Sequence, residues 1–331
     1  MCIRDRITGI AFTYFYKKGV SEKLLLPILI FWSCLLPVQQ VSCYLFKDVF
    51  FAIGLLAVTF ILIRSLDKKK DITYPDVILS GIALAAITLF RHNGIVITIA
   101  CLAISLYFTF AFSKKHLVTI LTLLLIIIPV KTVVYGAFDV QPNDNGTKWA
   151  LPAKAIASVV FNNGNYTEEQ LAQIEQLMPE EAIRMNYDRK EGQRLIWKDL
   201  MQDVGGEKYS FADTLAGKEE MIIKLFLQLY PKNFFIMTWD ILGSASLMLQ
   251  FQGNLLENNA LYMFCLLAAI VLLWIQKKRL AIIAFIPCFA NIASLVISNI
   301  SFEPRYGYPT IICFAVLMIY AYVTLAKEKT A

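Results

Sequence analysis

Charge is what this sequence has least of. Only 17% of its 331 residues are Asp, Glu, Lys or Arg, against about 25% in a typical soluble domain. That scarcity excludes intrinsic disorder and argues against an ordinary cytosolic enzyme. Histidine is rarer still, with two in the chain, and the seven cysteines (Cys2, Cys34, Cys43, Cys101, Cys265, Cys288, Cys313) form no CxxC pair. No zinc-ligand spacing and no disulfide framework emerges from them, and most read as small hydrophobes inside apolar runs. Basic residues sit in short clusters between those runs rather than along one face, so nucleic acid is not an expected partner. No internal repeat is visible either.

What is present is apolar. Hydrophobic residues make up 58% of the chain, and the mean hydropathy is +0.60. They fall in long runs such as Leu117–Val130 and Ala260–Ile275. A helix needs about 20 residues to cross a bilayer core, with a range of about 17–25. On that scale the sequence predicts an all-α, polytopic transmembrane bundle with eight full spans: Leu24–Tyr44, Val49–Ile63, Pro75–Phe90, Gly94–Phe112, Leu117–Phe138, Ala260–Ile275, Leu280–Asn299 and Pro309–Leu325. Three regions follow: membrane helices in 1–138, a polar segment in 139–259, and membrane helices again in 260–331.

Charge distribution orients the spans. Residues 139–232 hold 15 acidic and 11 basic side chains, while the rest of the chain holds 10 acidic and 20 basic. Fourteen of those basic residues lie on alternate connections (Lys17, Lys18, Lys23; Arg64, Lys68–Lys70; Lys114, Lys115; Lys277–Arg279; Lys327, Lys329). The other short connections carry only Lys47, Arg91 and Arg305. The positive-inside rule puts the first set in the cytoplasm and 139–259 outside, as expected for a multi-pass protein of the plasma membrane or cell envelope. Lys131 is expected to snorkel to the outer interface. The same parity makes Ile7–Tyr16 the inner half of a partial first span, since ten residues cover only about 15 Å. The expectation is therefore an N-terminally truncated chain.

Within the polar segment, Thr167-Glu168-Glu169-Gln170 reads as a capping box opening a helix to about Met178. Glu180–Asp203 reads as a second helix with Leu195, Ile196, Trp197 and Leu200 on one stripe, ended by Gly205-Gly206. Lys218–Tyr230 is amphipathic and stops at Pro231. Asn233–Phe251 is apolar, but a crossing there would invert Lys277–Arg279, so it is expected to lie in the interface with Trp239 at headgroup level.

Three outward connections carry compact polar motifs: Lys47-Asp48, Arg91-His92-Asn93-Gly94, and Glu303-Pro304-Arg305-Tyr306-Gly307-Tyr308-Pro309. Each has a plain structural reading: a helix-start pair, a lipid-facing snorkeller, a rim salt bridge. Together they suit phosphate chemistry. Arg and Lys recognise phosphate oxygens, Arg through its planar fork, and a carboxylate can take a proton. Asp48 and Glu303 are the candidate catalytic carboxylates, and Lys47, Arg91 and Arg305 the candidate phosphate binders. His92, Asn93 and Tyr306 are candidate supports. A divalent metal would fit such chemistry, but no ligand cluster calls for one.

At these residues the sequence resembles the polytopic GT-C-type glycosyltransferases, through "LFKDVFFAIGLL" (Leu45–Leu56), "LFRHNGIV" (Leu89–Val96) and "FEPRYGYP" (Phe302–Pro309). The resemblance spans most of the chain on short motifs. It implies sugar transfer from a polyprenyl-phosphate donor to a glycan or lipid acceptor at the outer face of the bilayer. It also implies an acceptor-side acidic residue in a first outer loop, which would lie upstream of Ile7, so the base is either that missing residue, leaving this fragment inactive by itself, or Asp48. A polymerase or ligase of lipid-linked glycans is the neighbouring alternative. A transporter or flippase would instead favour midplane charges and repeated halves.

Overall fold

In the computed structural model, residues 3–35, 38–39, 47–67, 73–91, 93–104, 114–140, 145–190, 193–196, 198–215, 217–246, 258–298 and 304–326 are described. Among them the secondary structure is helical, apart from one isolated bridge between Val204 and Glu207. The chain divides into two compact units. The first comprises 1–139, 251–294 and 304–331, and the second 140–250 with 295–303.

Unit 1 is built on the Lys47–Asp67 helix, whose 21 residues would extend about 32 Å. Asp48 in its first turn and Arg64 in its last complement the helix dipole. Most of its circumference is buried, including Phe51, Leu55, Leu56 and Ile63 at 0% exposure. It packs against the helices Tyr74–Phe90 and Tyr308–Ala326. Gly54 makes the first of these contacts close: a Cβ there would lie 2.9 Å from the Ala83 carbonyl oxygen. At the far end of this helix, Asp67 takes Lys18 and the Tyr14 hydroxyl, and Arg64 pairs with Asp76 at 2.8 Å.

Among the described residues four helices are long and apolar enough to cross a membrane: Lys47–Asp67, Lys114–Ala137, Arg279–Val296 and Tyr308–Ala326. The other expected spans are shorter here. Tyr74–Phe90 and Asn259–Ile275 have 17 residues each, and Gly94–Ile104 has 11 before the chain leaves the described residues. Glu22–Ser33 covers half of the expected Leu24–Tyr44 span, and most of the remainder lies outside the described residues. The expected partial span at Ile7–Tyr16 lies in a helix, Ile3–Lys17. Lys114–Ala137 widens into a π turn at Val130–Val134 immediately after Pro129. Proline has no N–H for the regular ladder, and the wider turn absorbs that defect.

Unit 2 has its own apolar core, centred on the Asn145–Phe161 helix with Ile156, Val159 and Val160 fully buried. The helices Glu219–Leu229 and Phe234–Ser246 pack on it. The capping box forms as expected, with Gln170 N–H donating to Thr167 Oγ1 and Thr167 N–H donating to Gln170 Oε1, and it opens the helix Glu168–Glu175. The amphipathic Lys218–Tyr230 segment forms the helix Glu219–Leu229, burying Ile222, Leu225 and Leu229.

The expected helix Glu180–Asp203 is instead broken into Glu180–Asn186, Gln193–Ile196 and a 3-10 turn at Lys198–Leu200. Two side chains account for the first break. Asn186 ties its own helix end to a later strand of chain, donating to Ala182 O and accepting from Gln202 N–H at 2.7 Å. Asp188 Oδ1 accepts from Lys190 N–H at 2.7 Å, a local bond that competes with helix continuation. Leu195 and Ile196 of the expected stripe are buried, Leu200 is exposed, and Trp197 lies outside the described residues. Gly205 and Gly206 both adopt positive φ, +64° and +87°, in a tight turn closed by Val204 and Glu207. Two consecutive left-handed residues are a glycine task.

Candidate functional site

One residue from each of the three polar motifs meets within unit 1. Asp48 sits in the first turn of Lys47–Asp67, and Arg91 caps the C-terminus of Tyr74–Phe90 in extended conformation. Arg91 Nε lies 2.8 Å from Asp48 Oδ1, with side-chain exposures of 8% and 13%. The guanidinium also lies over the Tyr306 ring, 4.5 Å from its centroid, and 5.5 Å from that of Phe51. A carboxylate on one helix and an aromatic ring from a distant turn therefore fix this cation. Desolvated cation–π contacts of this kind contribute about 2 kcal/mol.

Close backbone approach makes the arrangement fit. Gly94 follows the Arg91 turn, and a Cβ on it would lie 1.9 Å from the Ile87 carbonyl oxygen. Gly307 follows Tyr306, and a Cβ there would lie 1.8 Å from Asn259 Oδ1, at the start of Asn259–Ile275. No larger residue fits at either position without displacing its neighbour. Asn93 is buried and donates from Nδ2 to Ser294 Oγ at 2.9 Å, and Ser294 Oγ donates to Asn291 O at 2.7 Å. A polar seam thus runs from the Arg91 turn to the Ile286–Ser298 helix.

Of the sequence-derived candidates, Asp48, Arg91 and Tyr306 are brought together. Asn93 supports the turn through Ser294 rather than touching the pair. Lys47 is exposed at the start of its helix. Arg305 belongs to the 3-10 turn Pro304–Gly307, with its side chain outside the described residues, and His92 and Glu303 lie outside them altogether. Phe51, within the LFKDVFFAIGLL run but not singled out there, is an addition, as are Asn259, Asn291 and Ser294, which no motif announced. Among the described residues no group of three His, Cys, Asp or Glu side chains gathers as a metal site.

Unit 2 holds a second constellation. Lys154 Nζ lies 3.0 Å from Asp240 Oδ1, and both side chains are essentially without exposure, 0% and 1%. Lys154 also donates to the carbonyl oxygens of Arg189 and Asp240, and the Tyr187 hydroxyl donates to Asp240 Oδ1. Burial pushes the Lys154 ammonium down and the Asp240 carboxyl up from their ordinary ranges, and their mutual attraction opposes both shifts. The sequence does carry a signal for this pair. Each is a lone charge in an otherwise apolar stretch, Trp149–Phe161 and Phe234–Ser246, and such a charge is buried only with a partner.

Chemically, the unit 1 arrangement presents a held guanidinium, a carboxylate beside it and an aromatic face. Those groups suit an anionic oxygen leaving group and a hydroxyl that loses its proton. No family model, curated protein or solved structure matches this chain.

Proposed function

We propose that this chain is a multi-pass membrane glycosyltransferase that moves a sugar from a polyprenyl-phosphate donor to a hydroxyl acceptor. The observation carrying this reading is the Arg91 guanidinium gripped between Asp48 and Tyr306, three residues from separate connections. The four long apolar helices support the membrane setting. In this reading the lysine- and arginine-rich connections face the cytoplasm. Residues 139–259 lie outside, with Phe234–Ser246 resting in the outer interface.

The acceptor oxygen attacks the anomeric carbon, and the bond from that carbon to the lipid-phosphate oxygen breaks. The acceptor proton passes to a carboxylate, Asp48 within this chain. Negative charge grows on the departing phosphate, where Arg91 with Lys47 and Arg305 stabilises it. Arg91 is already oriented by its ring contact and ion pair, so little reorganisation is needed as that charge develops.

The test is transfer in membranes containing the chain, using radiolabelled polyprenyl-phosphate hexoses and following label into acceptor. Asp48→Asn is expected to slow transfer by about 100- to 10,000-fold, the usual contribution of a positioned proton acceptor. Label that never leaves the lipid carrier with any donor would overturn the reading.

A further inference from the structure

At the opposite end of the Lys47–Asp67 helix from Asp48, unit 1 forms an open pocket of about 370 Å³. Its lining includes four cations, Lys18, Lys277, Lys278 and Arg279, against one carboxylate, Asp67. Lys18 pairs with Asp67, and four cations against one carboxylate leave the lining net positive, with three of the cations consecutive at 277–279. Tyr320 and Leu280 supply an aromatic and an apolar wall.

The backbone that carries these cations is unusual. The Asn259–Ile275 helix ends in a Schellman motif: Lys278 N–H donates to Leu273 O at 2.8 Å, and Lys277 N–H to Trp274 O at 3.0 Å. The residue that must turn left-handed in that motif is Lys277, with φ +57°. Glycine is the usual occupant because it lacks the Cβ that makes this conformation costly. A strained lysine, followed at once by a lysine and an arginine lining one cavity, is more than a topology signal requires. Positive-inside bias asks only for basic residues near the span end. It predicts neither a cavity nor a left-handed lysine.

We propose that this cavity binds a phosphate-bearing anion, with an anionic phospholipid headgroup as the nearest source. Arg279 offers a planar fork and Lys277 and Lys278 compact charges, the two modes by which proteins hold phosphate oxygens. Leu280, 64% exposed, offers apolar surface beside the charges for an acyl chain. Basic pockets between spans at the cytoplasmic side are where such headgroups lodge. The inference rests on the membrane part of the reading above and is independent of sugar transfer.

Trp274 provides the readout, because the Arg279 guanidinium lies 4.7 Å from its ring centroid. The full chain is placed in phosphatidylcholine nanodiscs containing phosphatidylglycerol brominated near the headgroup. Quenching of Trp274 is isolated by difference from Trp274→Phe. Brominated phosphatidylglycerol is expected to quench at lower mole fraction than brominated phosphatidylcholine. Lys277→Gly and Arg279→Gln are each expected to weaken that preference about fivefold, the worth of one basic residue near a charged surface. Lys277→Gly relaxes the left-handed position and should melt no lower than wild type, so its effect reads binding rather than misfolding.

Inorganic phosphate added to discs of pure phosphatidylcholine forms the second arm. A saturable Trp274 change there, with no preference among lipids, assigns the site to a soluble phosphate. Equal quenching by both lipids with no phosphate response overturns the proposal, as does a preference that both variants leave unchanged. Alkaline extraction checks the membrane reading separately. A chain released with peripheral proteins fails that reading, and the phosphate arm alone then decides the cavity.

Discussion

Among the described residues each unit holds a lysine or arginine against an aspartate with little exposure, Arg91–Asp48 in unit 1 and Lys154–Asp240 in unit 2, and the two pairs are built differently. In unit 2 the Lys154 ammonium has three donors and three oxygens around it: Asp240 Oδ1, Asp240 O and Arg189 O. Its hydrogen-bonding capacity is used up and it is shut from water. Such an ammonium can hold helices together but has no donor left for a ligand. In unit 1 the cation is a guanidinium held by Nε and by its flat face, and both partners keep some exposure. A planar cation oriented in this way suits recognition of oxyanions. The two pairs differ in burial depth and in how the cation is held.

The largest expected effect comes from breaking the unit 2 pair. Lys154→Met alone leaves Asp240 as a buried charge without its counter-ion, and should cost about 3–5 kcal/mol. The double variant Lys154→Met with Asp240→Leu should recover most of that loss, because neither charge is then desolvated. Denaturant titration of the full chain, followed by limited proteolysis within 140–246, measures both. A double variant no better than the single would mean that the charges carry the packing themselves.

The unit 1 pair should respond in the opposite sense. Arg91→Lys keeps a positive charge beside Asp48, so the loss in stability should stay within about 2 kcal/mol, the contribution of the ring contact. The fork and the flat contact with Tyr306 are lost, and transfer should fall about 100- to 1000-fold, equivalent to about 2.7–4 kcal/mol. Wild-type transfer by Arg91→Lys would reduce the pair to a helix–helix tie and erase the contrast.

A smaller effect is expected at Gly307. An added methyl would meet Asn259 Oδ1 at 1.8 Å, and overpacking of this kind costs about 1–3 kcal/mol. Gly307→Ala should lower the thermal midpoint, and Asn259→Ala introduced with it should restore most of the loss. The smallest effect belongs to the unit 2 surface, where Thr167→Ala removes one half of the capping box at a cost of about 1 kcal/mol. That change should leave transfer untouched.

Much of the helical pattern was legible because periodicity and caps are local. The capping box at Thr167, the amphipathic run ending near Tyr230, and the apolar runs at 47–67 and 308–326 all needed only neighbouring residues. The Glu180–Asp203 helix failed for a reason no local window contains, since Asn186 prefers the backbone of Gln202. The candidate site was legible as three separate polar motifs. Their convergence was not, because Asp48 and Tyr306 are far apart in the chain and are brought together around Arg91.

The sequence by itself determined that this chain is helical and apolar, and where its charges may not go. Hydrophobic periodicity and the cost of burying charge are local properties, fixed once the residues are in order. Only the tertiary structure decided which charges meet. Pairing Arg91 with Asp48 and Lys154 with Asp240 depends on how helices far apart in sequence pack. That packing turns on close contacts such as Gly54 against the Ala83 carbonyl oxygen. A lone buried charge announces that it needs a partner, but not which one.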